Sequence, residues 1–330
     1  MSSASAAASP SASTFPSLRQ LWARAWSLSP EMTLSTPVML LGAVLTFAGI
    51  LLDPRQLVGE PLWLKPAKFY ISVVAYQATL LYLFSFLAER RRLVRTTGAI
   101  LSGAMALEMV AITVQAARGV RSHFNLATLF DEVLFRSMGV AIVVLWVTML
   151  VVAVALVRAK LADRALASAL RTGIAVGLLG TALGFFMTAP NPEQLAQMKA
   201  GQAPVEMGAH TFGAADGGAG LPLVDWSSTA GDMRPAHFLG LHGMQVLPVL
   251  ALLLARRRTV SELRRLALVR AAGVGYAGLT LVLAIQALRH LPVTRWDATG
   301  LATVAAAAVA GFVAYAASQA RRQEIAAIAA

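Results

Sequence analysis

The sequence lacks cysteine and has few charged residues. Without cysteine, the chain can form no disulfide, thiolate metal site, iron–sulfur cluster, CxxCH haem attachment or cysteine nucleophile. Charged residues make up 13% of the 330 residues, against ~25% in a typical soluble protein. The HExxH, GxSxG, Walker and DxDxDG patterns are also missing, which excludes the protease, hydrolase, nucleotide and calcium sites that depend on them.

Most residues of the chain are apolar. Hydrophobic residues make up 57% of the chain, and the mean hydropathy is +0.66. Eight segments approach the ~20 apolar residues that a transmembrane helix needs. The sequence therefore predicts an all-α integral membrane protein, a bundle of about eight transmembrane helices. The predicted spans are about 33–52, 67–88, 97–117, 136–157, 170–189, 236–255, 269–289 and 300–319.

The basic residues predict the orientation of this bundle. The net charge of +12 comes mainly from short clusters near both termini and after the even-numbered spans, such as 90–95 and 256–258. By the positive-inside rule, both termini are cytoplasmic. Because the clusters lie between apolar runs, they predict the lipid bilayer as a partner and no nucleic acid.

Residues 1–31 differ from the membrane domain predicted for residues 32–330. The segment "MSSASAAASPSASTFP" is typical of disorder, and "SLRQLWARAWSLS" predicts an amphipathic helix at the membrane interface. No acidic residue precedes Glu31, which is also typical of an organellar transit peptide. The Ser/Ala bias is equally typical of GC-rich bacterial genomes, so we favour the inner (plasma) membrane.

All five histidines fall in the predicted extracytoplasmic half. Residues 190–235 form a long loop between spans five and six, and its glycines and acidic residues predict either a lid over the bundle or a flexible linker. The histidines are His123 between spans three and four, His210 in the long loop, His237 and His242 at the start of span six, and His290 at the end of span seven.

The stretch "GDMRPAHFLGLHGMQVLP" places two of these histidines at the start of span six. His237 and His242 are five residues apart, so a continuous helix sets them about 140° around its axis from each other. We expect His237 to lie at the mouth with Asp232 and Arg234. His242, on the same side as Gln245, is expected to point into the bundle, either in a polar site or as a core histidine with one hydrogen bond.

Further polar residues lie within or beside the spans. Glu108 is near the middle of span three, where a charge is costly, so it must be protonated or paired. It could serve a proton relay, an ion site or structure alone. Lys65 and Lys68, at the outer end of span two, either bind an anion or extend toward the lipid headgroups. His290 is either a second ligand or an interfacial residue.

These residues favour a membrane enzyme, an oxidoreductase with an extracytoplasmic site that holds haem b or a transition metal. Its substrate would be a small molecule or an electron carrier. One alternative is a secondary transporter or channel that uses Glu108. Another is a sensor or assembly protein that binds an anionic group. The candidate catalytic residues are His237, Asp232, Arg234 and Glu108; the cofactor-binding residues are His242, His290, Gln245, Lys68 and Arg121; the metal ligands are His123, His210, His237 and His242.

Overall fold

The structure is a computed structural model that describes the backbone of residues 16–329 and the side chains of residues 16–316. Most of the predicted disordered tail lies outside the described residues. The helices are α1 (Leu18–Leu28), α2 (Pro30–Leu52), α3 (Leu64–Ser85), α4 (Arg91–Arg118), α5 (Leu129–Arg158), α6 (Arg164–Phe185), α7 (Pro192–Lys199), α8 (Arg234–Ala255), α9 (Glu262–Leu288) and α10 (Ala298–Ala329). Two short antiparallel pairs join β1 (Gln56–Leu57) to β2 (Glu60–Pro61), and β3 (Thr211–Phe212) to β4 (Gly231–Asp232).

Eight helices in the described part of the chain are long and apolar enough to cross a membrane. They are α2 to α6 and α8 to α10, and each coincides with one predicted span. This confirms the prediction of an all-α, multi-pass membrane protein. The amphipathic segment also forms a helix, α1, whose Trp22 and Trp26 are exposed.

Polar caps define where several helices begin. Ser29 caps α2, Thr128 caps α5, Asp163 caps α6 and Ser261 caps α9. In each case the side-chain oxygen accepts a hydrogen bond from a backbone N–H that has no partner inside the helix. These four helices therefore begin where the sequence supplies an oxygen acceptor, whereas α3, α4 and α8 have no side-chain cap.

Helices α6 and α8 pack closely because glycines line their contact. A Cβ atom added at Gly180 would lie 2.5 Å from the backbone of Gly240 on α8, and one added at Gly173 would lie 2.8 Å from the carbonyl oxygen of Gly243. Small residues let two helix backbones approach in this way. The glycine spacing along span five predicts this packing, and the structure confirms it.

The bundle has two different ends. Residues 186–233, called the cap segment below, contain α7, β3 and β4 and lie at the end named the cap end. The backbone of Val205 and Met207 pairs with that of Leu126 and Phe124 in the α4–α5 connection, with N···O distances of 2.8 Å. The opposite end carries the arginine clusters and is called the arginine end. The long loop is thus ordered against its neighbours.

Candidate functional site

A cavity of about 70 Å³ lies at the cap end, where α3, α4 and α8 meet the cap segment. Pockets for drug-sized ligands have volumes of about 300–1,000 Å³, so this cavity suits a small ligand. Part of its wall is apolar, including Ile112 and Ala116 of α4. Its polar lining residues are Glu60, Lys65, Arg121, Ser122, His210, Asp216, Asp225 and Arg234.

His210 and Asp216 form a hydrogen-bonded pair in this lining. The His210 Nδ1 atom lies 3.1 Å from Asp216 Oδ2, and the backbone N–H groups of His210 and Thr211 donate to Asp216 Oδ1 at 3.0 and 2.9 Å. A carboxylate accepts hydrogen bonds, so Nδ1 carries the proton and Nε2 keeps a free lone pair. The glycines around Asp216, with positive φ at Gly213 and Gly217, let this short loop fold back on His210.

The charge states of this pair follow from burial and from Arg121. Burial lowers the pKa of His210 to about 4, although the hydrogen bond to Asp216 opposes the change. Burial alone would raise the pKa of Asp216, but the hydrogen bond from His210 and the charge of Arg121 hold it well below its usual range. At neutral pH the pair is therefore a neutral imidazole oriented by a charged carboxylate, which is the arrangement of a general base.

Both arginines in the cavity wall are bound to carboxylates. Arg121 contacts Glu206 at 2.7 Å and Asp216 at 2.5 Å. Arg234 contacts Asp232 at 2.7 Å and Asp225 at 3.4 Å. Asp232 also accepts from the backbone N–H of Arg234 at 2.9 Å, as its predicted place before α8 implies.

Lys65 is different, because no carboxylate in the described part of the chain lies within ion-pair distance of its ammonium group. Its Nζ atom is 3.2 Å from His123 Nδ1. An ammonium group can only donate, so Nδ1 of His123 accepts and its proton lies on Nε2. Phe69, Phe124 and Phe135 surround this ring, with centroid separations of 6.0, 6.1 and 6.4 Å. Burial and the charge of Lys65 lower the pKa of His123 well below its usual value.

His237 faces α6, and the glycines of α6 provide the space. Its Nδ1 atom donates to the carbonyl oxygen of Gly180 at 2.7 Å. A Cβ atom at Gly184 would lie 2.9 Å from the ring. Because Nδ1 is the donor, Nε2 of His237 also keeps a free lone pair, as in His210.

Glu108 lies on α4 one helix turn from Ile112, which lines the cavity. The residue is 6% exposed, and its Oε1 atom has no hydrogen-bond partner among the described residues. The positive charge of Lys65 acts on it. Gln115, expected to extend a polar path from Glu108, instead donates to Asp131 at 2.8 Å.

The remaining candidates lie apart from the cavity. Lys68 pairs with Glu60 at 2.9 Å. His242 packs edge-on against the exposed ring of Phe238, with 4.3 Å between centroids, and Gln245 donates to Thr79 of α3 at 3.0 Å. The Gln245 side chain also forms a hydrogen bond with His242, so the two residues lie on the same side of α8 as predicted, although neither lines the cavity.

His290 follows the end of α9, with φ at 61°. Its ring lies against Gly213 and its backbone against Gly231, before the start of α8. His242 lies eight residues inside α8, about 12 Å along the helix axis at 1.5 Å per residue.

The grouping of histidines differs from the predicted metal set. His210 and His237 both act electrostatically on His123. Among the described residues, no group of three or more histidines and carboxylates is placed to hold a metal ion.

Two functional candidates, Lys65 and Asp216, are not among the catalytic, cofactor-binding and metal-ligating residues predicted from the sequence. The signal for Asp216 is present in "HTFGAADGG", where glycines separate a histidine from an aspartate. The signal for Lys65 is its position at the end of span two, but no local pattern identifies its partner His123, 58 positions away. Comparison of the chain with protein-family models, with curated proteins and with solved structures finds no match.

Proposed function

We propose that this protein is a multi-pass membrane enzyme that binds a small anionic substrate in the cavity at the cap end. The observation that carries the proposal is the convergence of Lys65 and the His210–Asp216 pair on one small cavity. One group supplies an unpaired positive charge and the other supplies an oriented base.

The charge distribution supports an anion as the ligand. Each arginine in the wall is paired with two carboxylates, and Glu60 is paired with Lys68. Only one of the three ammonium hydrogens of Lys65 is needed for His123. A buried cation without a counter-ion is costly, so a carboxylate or phosphate oxygen beside Lys65 would stabilise the site.

The His210–Asp216 pair would then move a proton. The Nε2 lone pair of His210 accepts a proton from the bound substrate, and the charged Asp216 stabilises the imidazolium that forms. Return of the same proton to the product restores the neutral imidazole. Arg121 helps to keep Asp216 in place, since its Nη2 atom donates to the same Oδ2 atom as His210.

The oxidoreductase hypothesis, with haem b or a transition metal, rests on a narrower observation. His210 and His237 each donate Nδ1–H to an oxygen and leave Nε2 free, which is the form in which histidines bind metals. Metal analysis of the purified protein and its absorption spectrum test this hypothesis, because a stoichiometric metal or a Soret band would support it.

We also propose that the cap end is extracytoplasmic. The arginine clusters lie at the opposite end, and basic residues favour the cytoplasmic side. Both termini would then be cytoplasmic, in the plasma membrane of a bacterium. Labelling of single cysteines placed at the two ends, in intact cells, tests this orientation. The cysteine-free chain makes the labelling specific.

Glu108 favours a second candidate, a proton-coupled transporter. Its carboxyl is buried without a partner for Oε1, one helix turn from the cavity wall. In proteoliposomes, a pH gradient would drive uptake of the anion, and Glu108→Gln would abolish it. Anion conversion without uptake would contradict this candidate.

Thermal unfolding in detergent tests anion binding. Acetate, lactate, succinate and phosphate are compared with chloride at equal ionic strength. An anion at 100 times its Kd should stabilise the protein by ~2.7 kcal/mol. Lys65→Gln should remove this stabilisation, whereas Lys199→Gln, which changes an exposed lysine of α7 outside the cavity lining, should retain it. Equal stabilisation of both variants would contradict the proposal.

Mass spectrometry of reaction mixtures tests turnover. The wild-type protein should convert a member of a pool of small carboxylates and phosphates. His210→Gln should bind the same compound but form no product. Binding without conversion by the wild type would instead support the ligand-binding sensor.

A further inference from the structure

A second cavity, of about 330 Å³, lies at the arginine end between α6 and α9. Three arginines line it, Arg164 and Arg171 from α6 and Arg270 from α9. Ser168 and Thr172 add two hydroxyl groups on the same side of α6. No carboxylate in the described part of the chain lines this cavity, in contrast to the cavity at the cap end.

The three arginines differ in their hydrogen-bond partners. Nη2 of Arg171 donates to the carbonyl oxygen of Ala159 at 2.8 Å, near the end of α5, so its guanidinium is fixed at the wall. Arg164 and Arg270 are exposed and have no hydrogen-bond or ion-pair partner among the residues with described side chains. The nearest acid along α6, Asp163, is occupied, because it caps α6 and contacts Arg265 at 3.0 Å.

We infer that this cavity binds a phosphate group, and that the phosphate belongs to the headgroup of an anionic phospholipid. A guanidinium binds phosphate oxygens through two parallel N–H groups. Basic pockets between transmembrane helices are typical sites for anionic headgroups. Ser168 and Thr172 supply further donors for the phosphate or for a glycerol hydroxyl.

The position of the cavity favours a lipid over a soluble phosphate compound. It lies at the ends of two membrane-spanning helices, and Leu161 and Leu266 form part of its wall. Val274, one turn beyond Arg270 toward the middle of α9, is 39% exposed. An acyl chain can leave the headgroup along this apolar surface, whereas a soluble phosphate compound would gain nothing from it.

Native mass spectrometry of the full chain with defined lipids tests the inference. Phosphatidylglycerol is the anionic probe and phosphatidylcholine the zwitterionic one. The wild type should retain one phosphatidylglycerol in preference to phosphatidylcholine. The double variant Arg164→Gln/Arg270→Gln should bind it at least about tenfold more weakly, since each basic residue near an anionic lipid contributes ~1 kcal/mol.

A matched control removes the same charge at the same end. Arg256→Gln/Arg264→Gln changes two exposed arginines outside the cavity lining and should retain the wild-type preference for phosphatidylglycerol. Equal loss in both double variants would show general attraction to charge and would overturn the site. Displacement of the lipid by millimolar inorganic phosphate would overturn the lipid assignment in favour of a free phosphate.

Discussion

The two ends of the bundle differ in how their basic residues are paired. At the cap end, the arginines are held by pairs of carboxylates under a folded segment, and one lysine is left for a ligand. At the arginine end, Arg164 and Arg270 are exposed and face a cavity without acids. A count of charged residues therefore does not locate a binding site, because the ion pairs determine which charged side chain is available to a ligand.

Removal of a buried carboxylate at the cap end should have the largest effect. Asp216→Asn leaves Arg121 with one fewer counter-ion and removes the charge that orients His210. Breaking a buried ion pair costs about 3–5 kcal/mol, and the Asp216 side chain is 7% exposed. Thermal unfolding and limited proteolysis should show a loosened cap segment. Wild-type resistance to the protease would contradict the role of this pairing.

The close contact of α6 and α8 should be the next most sensitive feature. Gly180→Ala would push its methyl group into the backbone of Gly240 and should destabilise the protein by about 1–3 kcal/mol. Gly139→Ala is the control, because no atom lies within 4 Å of a Cβ there and alanine is the better helix former. If both variants unfold alike, the packing explanation of the glycine spacing fails.

Acidification should loosen the cap segment before it affects the rest of the bundle. Because burial lowers the pKa of His210 to about 4, the unfolded cap binds more protons than the folded one between pH 6.5 and pH 4. The stability contributed by neutral His210 is therefore complete above pH 6.5 and is lost as the pH falls toward 4. His123, whose pKa is also lowered, acts in the same direction.

Hydrogen exchange at pH 7 and pH 5 measures this loss. Amides of residues 205–216 should exchange faster at the lower pH, after correction for the intrinsic rate. Amides of α6 serve as the internal control. Unchanged protection of residues 205–216 would show that the imidazoles do not contribute to closure of the cap.

An exposed ion pair should give the smallest effect. Glu132 contacts Arg136 at 2.7 Å, one turn along α5, and the arginine side chain is 69% exposed. Pairs of this kind contribute about 0.3–0.5 kcal/mol, so Glu132→Gln should hardly change thermal unfolding. A loss as large as that of Asp216→Asn would remove the distinction between buried and exposed charges on which the comparison depends.

The spans were predictable because a continuous apolar run leaves few alternatives in a membrane. The glycine spacing likewise predicted a close helix contact, and Asn191 with Pro192 predicted α7. The contacts of His237 and His242 were harder to predict, because helical geometry gives only the angle between the two side chains around the helix axis. Which of them faces α6 depends on the glycines opposite, 57 residues from His237 in the case of Gly180.

The site itself depends on contacts between distant residues. Arg121 meets Asp216 across 95 positions, and Lys65 meets His123 across 58. No local sequence pattern predicts such contacts. The sequence therefore indicated a polar region at one end of the bundle, whereas the structure is needed to show that Lys65 is the basic residue of the cavity wall that no carboxylate among the described residues pairs with.

The most direct test of anion binding beside Lys65 and His210 is chemical modification of His210 with diethyl pyrocarbonate. This reagent reacts with the free lone pair of a neutral imidazole. His210 is 22% exposed, so the reagent can reach it, and mass spectrometry reports the modified residue. We expect a saturating small anion to protect His210 in the wild type and in Lys199→Gln but not in Lys65→Gln. Protection that persists without Lys65, or a His210 that never reacts, would contradict this expectation.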